Sequence, residues 1–139
     1  GGPMFPKDTR ILIADDLATI RSILSEILIR NGYKRIVDAN DGLEAKKKLF
    51  SAFESNDPFG LIICDWNMPN LTGIELLEEK NLHPEMASTP FLMVTIESEK
   101  SYVLQAITMG VNDFIVKPFN EQIVIKKLES IYNRIHGED

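Results

Sequence analysis

Five short apolar runs punctuate the chain: Ile11-Leu12-Ile13-Ala14, Ile36-Val37, Leu61-Ile62-Ile63-Cys64, Phe91-Leu92-Met93-Val94 and Phe114-Ile115-Val116. They are nearly continuous instead of alternating with polar residues. That pattern belongs to strands covered on both faces, as in a parallel sheet with helices above and below. Between the runs, apolar residues return every three or four positions. Ile20, Ile23, Leu24, Ile27 and Leu28 predict a first helix, stopped by Asn31-Gly32. Leu43, Ala45, Leu49 and Phe50 predict a weaker second, capped by Asp41 or Gly42, and Ile74, Leu76 and Leu77 a short third. Val103, Leu104, Ala106, Ile107 and Met109 predict a fourth, capped by Ser98 and stopped by Gly110. Ile123, Val124, Leu128, Ile131 and Ile135 predict the last, with Asn120 as its N-cap. Segments 51–60 and 81–90 fall outside these patterns and read as surface loops, the first being the longest linker.

Strand and helix thus alternate five times. Such βα units join through right-handed crossovers into a doubly wound α/β domain, and five strands are too few for an eight-fold barrel. The chain has 139 residues, enough for one domain, which is expected over residues 4–139. Gly1-Gly2-Pro3 reads as a cleavage scar before an initiating Met4.

Composition narrows the function. Hydrophobic residues at 44% and charged residues at 26% place the chain among globular proteins and away from disordered ones. A net charge of −6 argues against general affinity for nucleic acid. No apolar run approaches the roughly 18–20 residues of a membrane span, and no signal-peptide pattern opens the chain, so no membrane insertion is expected. The single cysteine cannot form an internal disulfide, which fits a reducing, cytoplasmic setting.

The chemistry gathers where the strands end. Open α/β sheets bind ligands outside the carboxyl ends of their strands. The first strand runs into Asp15-Asp16, the third into Asp65, the fourth into Thr95 and the fifth into Lys117-Pro118. Asp38 and Asn40, after the second, read as bystanders. Two carboxylates ~4 Å apart repel by about 4 kcal/mol at an effective dielectric near 20, and a divalent cation relieves that repulsion. Mg²⁺ suits such a set: it takes hard oxygen ligands, keeps waters and shares positions with phosphate oxygens. A carboxylate facing both metal and phosphoryl group can act as a nucleophile, with Lys117 and Thr95 holding the phosphoryl oxygens. The residues therefore read as a site for Mg²⁺-assisted phosphoryl transfer to a carboxylate. Rival chemistries lack residues. His83 and His136 lie 53 positions apart and read as solvated side chains, and no P-loop or dinucleotide fingerprint is present. Cys64 reads as a small buried hydrophobe, the scattered methionines as filler, and Lys46-Lys47-Lys48 as a solvated helix face.

The segments Ile11-Leu12-Ile13-Ala14-Asp15-Asp16, Cys64-Asp65-Trp66-Asn67-Met68-Pro69-Asn70, Met93-Val94-Thr95 and Val116-Lys117-Pro118-Phe119 resemble the receiver domains of two-component response regulators, in particular those of chemotaxis. The resemblance covers about Arg10 to Ile135. It implies a flavodoxin-like five-stranded parallel sheet in the order 2-1-3-4-5. It implies Asp65 as phosphoacceptor, Asp16 and Asp65 as direct Mg²⁺ ligands, Asp15 acting through water, and Asn67 giving a backbone carbonyl. It implies Thr95 as the switch hydroxyl, Lys117 on the phosphoryl group, and a cis bond before Pro118. The phosphoryl group would come from a sensor histidine kinase or a histidine phosphotransferase. The output would be a protein target, as in chemotaxis, on a face made by the fourth predicted helix, the fifth strand and the last helix. Lys100, Tyr102, Phe114, Phe119 and Lys126 or Lys127 are that face's candidate elements. Two departures stand out. Phe114 occupies the position where the family usually has a switch tyrosine; its ring can swing inward but lacks the hydroxyl, which implies a smaller bias. The 51–60 loop is longer than usual. Two other readings stay open: a relay intermediate that passes the phosphoryl group to a histidine phosphotransferase, and a metal-dependent phosphohydrolase. The latter normally needs a general acid two residues after its nucleophile, where this chain has Asn67. A turnover enzyme is not expected.

Overall fold

The protein was analysed as a computed structural model that describes residues 3–96 and 100–137, without the side chains of Lys100 and Tyr102. The expected Ser98 cap, Gly1 and Gly2 of the expected scar, and the Lys100 and Tyr102 side chains therefore lie outside the described residues. The chain runs β1 (Arg10–Ala14), α1 (Ala18–Arg30), β2 (Arg35–Ala39), α2 (Gly42–Glu54), β3 (Leu61–Asp65), α3 (Gly73–Asn81), α4 (Pro84–Ala87), β4 (Phe91–Thr95), α5 (Lys100–Thr108), β5 (Asp113–Val116) and α6 (Glu121–His136). All strand pairings are parallel, and the order is β2-β1-β3-β4-β5, as the resemblance implies.

Each central strand feeds two cores, because successive side chains point to opposite faces. Leu12, Ala14, Ile62, Cys64 and Met93 face one layer, where Ala45, Leu49, Leu76, Leu77, Met86 and Ala106 meet them. Ile11, Ile13, Ile63, Leu92, Val94 and Ile115 face the other, against Leu24, Ile27 and Leu28 of α1 and Val124, Leu128 and Ile131 of α6. The unbroken apolar runs are the sequence record of this double burial. Helix ends follow local chemistry: Asp41 caps α2 by accepting from Glu44 N, Asn120 caps α6 by accepting from Ile123 N, and Gly32 takes φ +95° after α1.

Three expectations need correction. The 51–60 loop is only half a loop: α2 continues to Glu54, since Ala52 extends the buried Ala45–Leu49 stripe and no breaker intervenes. The remaining residues are tied to the sheet, with Asp57 pairing to both Arg10 and Arg35 and Asn56 turning at φ +59°. Segment 81–90 holds the extra helix α4, begun by Pro84 at its first turn, so the fourth and fifth predicted helices are α5 and α6. Lys80, 1% exposed, donates to the carbonyls of Met86 (3.3 Å) and Ala87 (2.6 Å) at the end of α4, and burial pulls its ammonium down to about 8. Finally, α5 buries Ala106 but leaves Leu104 and Ile107 more than half exposed. The small residue occupies the interface, and the large aliphatics of the predicted stripe face outward.

Candidate functional site

β1 delivers Asp15 and Asp16 in the first two positions beyond its last residue. Asp15 is held from several sides. Its backbone N–H donates to Ala39 O (3.1 Å), its Oδ1 accepts from Leu17 N (2.8 Å), and its carbonyl accepts from Arg21 Nη1 (2.7 Å). Arg21 Nε is in turn fixed on Asp38 Oδ2 at 2.9 Å, so Asp38, expected to be a bystander, props the strut that holds Asp15. β3 ends on Asp65, which pairs in register with Val94 of β4, and β4 ends on Thr95, which pairs with Val116. Lys117 follows β5 directly and its N–H donates to Thr95 O at 2.8 Å. The Lys117-Pro118 bond is cis.

These register relations bring the three acids together. One carboxylate oxygen from each of Asp15, Asp16 and Asp65 lies within 4.8 Å of the other two. Lys117 Nζ sits 3.0 Å from Asp15 Oδ2 and 3.5 Å from Asp65 Oδ2. Asp15, Asp65 and Thr95 are buried, while Asp16 is exposed, so the cluster opens to solvent on one side only. At 4.8 Å, each pair of carboxylates still repels by about 3 kcal/mol at an effective dielectric near 20, and the Lys117 ammonium pairs with two of the three, Asp15 and Asp65. Burial, then the charge of Asp15, pushes the Asp65 carboxyl up to about 6, against the pull of Lys117 and the Trp66 N–H. Cys64, fully buried, donates weakly to Asp65 O at 3.2 Å; burial and the two neighbouring acids push its thiol well up, as an inert core residue requires.

The loop after Asp65 carries exposed Asn67 and buried Met68, beside buried Trp66. It closes tightly: Gly73 N donates to Trp66 O at 2.8 Å, and a Cβ on Gly73 would lie 2.2 Å from Asp65 O. Thr72 caps α3 in a capping box with Glu75. Asn70, at φ +71°, donates through Nδ2 to Asp41 Oδ2 at 2.7 Å, joining the loop to the start of α2. A Cβ on Gly42 there would lie 1.8 Å from Leu71 O. These supports escaped the sequence reading, although Thr72-x-x-Glu75 is a visible capping signature.

Further from the acids, Phe114 is half-buried on the edge strand, with Lys127 Nζ 5.7 Å from its ring centre. Of the two lysines offered as elements of the output face, Lys127 is half-buried and paired to Asp113 at 3.0 Å, and Lys126 is exposed. Phe119 is partly buried against the α1–α6 core. His83 precedes α4 at its N-cap position with its ring edge-on to Phe50, and His136 lies against Tyr132. Of the lysine run, Lys46 pairs with Glu79 and Lys48 with Glu44. No helix among the described residues is long and apolar enough to cross a membrane.

Comparison with known proteins identifies the family of the fold. Chemotaxis protein CheY of Pseudomonas aeruginosa is 37% identical over 128 residues, covering 92% of this chain and 99% of that one. Chemotaxis protein CheY4 of Vibrio cholerae superposes with a TM-score of 0.78 at 32% identity, over 89% of this chain and 98% of that one. A chain of the CheX-CheY-BeF3-Mg complex of Borrelia burgdorferi superposes at 0.80 with 25% identity, over 89% of each. Residues 11–129 match the response regulator receiver domain, and the chain belongs to that family, with chemotaxis proteins of the CheY type among its relatives.

Proposed function

We propose that residues 4–139 form a single receiver domain that works as a phosphorylation-dependent switch, with Asp65 as the phosphoacceptor and Mg²⁺ as the required ion. The observation that carries this reading is the meeting of three carboxylates within 4.8 Å beside the ammonium of Lys117. The donor set fits the ion: all oxygen, crowded with negative charge, and open to water at Asp16. Asp16 and Asp65 would hold it directly, Asp15 through water, and Asn67 through its backbone carbonyl. When bound, the ion neutralises charge and polarises the phosphoryl oxygens.

The chain's own groups do the rest. With its carboxyl at about 6, Asp65 is mostly ionised at neutral pH and presents a nucleophilic oxygen. Its oxygen bonds to phosphorus as the phosphorus–nitrogen bond of a donor phosphohistidine breaks, and the departing imidazole keeps the bonding pair and takes up a proton. Lys117 turns from Asp65 to a phosphoryl oxygen, and the Thr95 hydroxyl donates to another. The donor is a sensor histidine kinase or a histidine phosphotransferase. As Thr95 moves toward the phosphoryl group, Phe114 gains room to rotate inward, which biases the surface of α5, β5 and α6. Leu104 and Ile107, exposed on α5, give that surface apolar area for a downstream protein. Relatives named for chemotaxis favour a signalling output. An uncharged Asn67 where a hydrolase would carry its general acid favours a switch over a turnover enzyme.

The test is labelling with a small phosphodonor in Mg²⁺, followed by mass mapping of the modified residue, with Asp65→Ala as control. A Mg²⁺-dependent adduct on Asp65 alone is expected. An adduct on another residue, or none, would overturn the proposal.

A further inference from the structure

The incomplete burial of the Phe114 ring needs a cause. A tyrosine hydroxyl can find water or a backbone partner in either orientation, whereas a phenyl ring has only its face and its edge. Phe114 lies on the edge strand β5 and already packs against the core beneath α5, so burial alone draws it inward. The opposing contact comes from α6. Lys127 Nζ stands 5.7 Å from the ring centre, within the range of cation–π attraction. Its place is fixed: it donates to Asp113 Oδ1 at 3.0 Å, while the same oxygen accepts the Phe114 backbone N–H at 2.8 Å. The other oxygen, Asp113 Oδ2, is held by Arg134 Nη2 at 3.1 Å. Asp113 is thus pinned from both sides, one residue before the ring, and sets the ammonium over the ring.

We propose that Lys127, anchored on Asp113, is a positioning residue that holds Phe114 in its half-exposed orientation and so supplies the bias that a hydroxyl would otherwise give. The proposal rests on the switch reading above and extends it to the residue that sets the resting state. Inward rotation carries the ring away from the ammonium, so the attraction acts on one orientation only, as a population bias must. At a partly exposed site this attraction corresponds to about a two- to fivefold change in population. Reciprocity then requires the same factor in the affinity of any phosphoryl mimic that favours the inward ring.

The experiment follows the Phe114 ring by NMR in protein carrying ¹³C-labelled phenylalanine, assigned with Phe114→Leu. Ring exposure is read as broadening by a soluble nitroxide, and the midpoint of a beryllofluoride titration is measured in Mg²⁺. Lys127→Met keeps chain length without charge, Lys127→Arg keeps the charge, and Lys126→Met removes a neighbouring exposed charge. Lys127→Met is expected to reduce broadening of the ring and lower the titration midpoint two- to fivefold; Lys127→Arg and Lys126→Met are expected to match the parent. Unchanged exposure in Lys127→Met overturns the inference, as does an equal shift in Lys126→Met. If the parent ignores beryllofluoride, the phosphoacceptor reading fails, and the exposure measurement still decides the role of Lys127.

Discussion

Magnesium entering the carboxylate cluster must compete with a proton. Burial and the charge of Asp15 push the Asp65 carboxyl up to about 6, so the proton is held well into the mildly acidic range. With one proton displaced, the apparent dissociation constant scales as one plus the ratio of proton concentration to the acid constant. Between pH 7 and pH 5 Mg²⁺ binding should weaken about tenfold, or about 1.4 kcal/mol. A carboxyl at the ordinary value of 3.8 would change the constant by less than about a tenth over that interval. Trp66 is the only tryptophan, follows Asp65 directly and is buried, so its fluorescence can report the titration. Midpoints measured at pH 5, 6, 7 and 8 and constant ionic strength should trace that curve. Asp65→Asn should flatten it. A change of less than twofold between pH 7 and 5 would refute the reasoning, as would a Trp66 signal that stays flat into tens of millimolar Mg²⁺. The same shift bears on the metal-free fold. The native state keeps a proton that the unfolded chain releases near pH 4, so stability falls as pH rises from about 4 to about 6, and Mg²⁺ should restore it.

Asp16→Asn removes one of three crowded charges at an exposed position; it should raise the metal-free melting temperature by about 2–4 °C and abolish the Mg²⁺ response, both readable by calorimetry. Gly73→Ala would set a Cβ 2.2 Å from Asp65 O, and Gly42→Ala one 1.8 Å from Leu71 O, so each should destabilise by more than about 2 kcal/mol in urea. Near-parent stability in either would mean the loop yields more easily than its packing implies. For Lys80, the native ammonium loses its proton near 8 and the unfolded one near 10.5. The parent should therefore gain about 2 kcal/mol relative to Lys80→Met as pH rises from 8 to 10, and parallel urea stabilities across that range would contradict it.

The strands and their order of use were legible because double burial writes itself as unbroken apolar runs, and the polar residue after each run marks the sheet edge. The fourth helix of the structure was not legible, because four residues are too few to show a period, and only Pro84 hinted at a start. Nor was the true end of α2, where Ala52 carries the stripe forward but its small side chain gives a weak signal. Lys80 sits a helical turn beyond Leu76 and Leu77, in phase with buried positions, yet a lysine reads as solvent-facing until its two carbonyl partners are seen. Leu104 and Ile107 misled in the opposite direction: periodicity identifies an apolar face and cannot say whether sheet or solvent lies opposite it.

Knowing which residue ends each strand does not by itself make a site, since parallel strands could slip past one another. Here Ala14 pairs with Cys64, and Asp65 with Val94, which sets Asp15 and Asp65 at the same height on neighbouring strands. A slip of one residue would move Asp65 to the opposite face of the sheet and exchange the two core layers along β3. Both layers are apolar, so burial opposes such a slip only through shape. The polar restraint comes from the loop: Gly73 fits against Asp65 O only where it stands, and Asn70 reaches Asp41 only from there. Close packing beyond the strand ends therefore fixes the register that gathers the acids, and Gly73 and Asn70 are as much a condition of the chemistry as the carboxylates themselves.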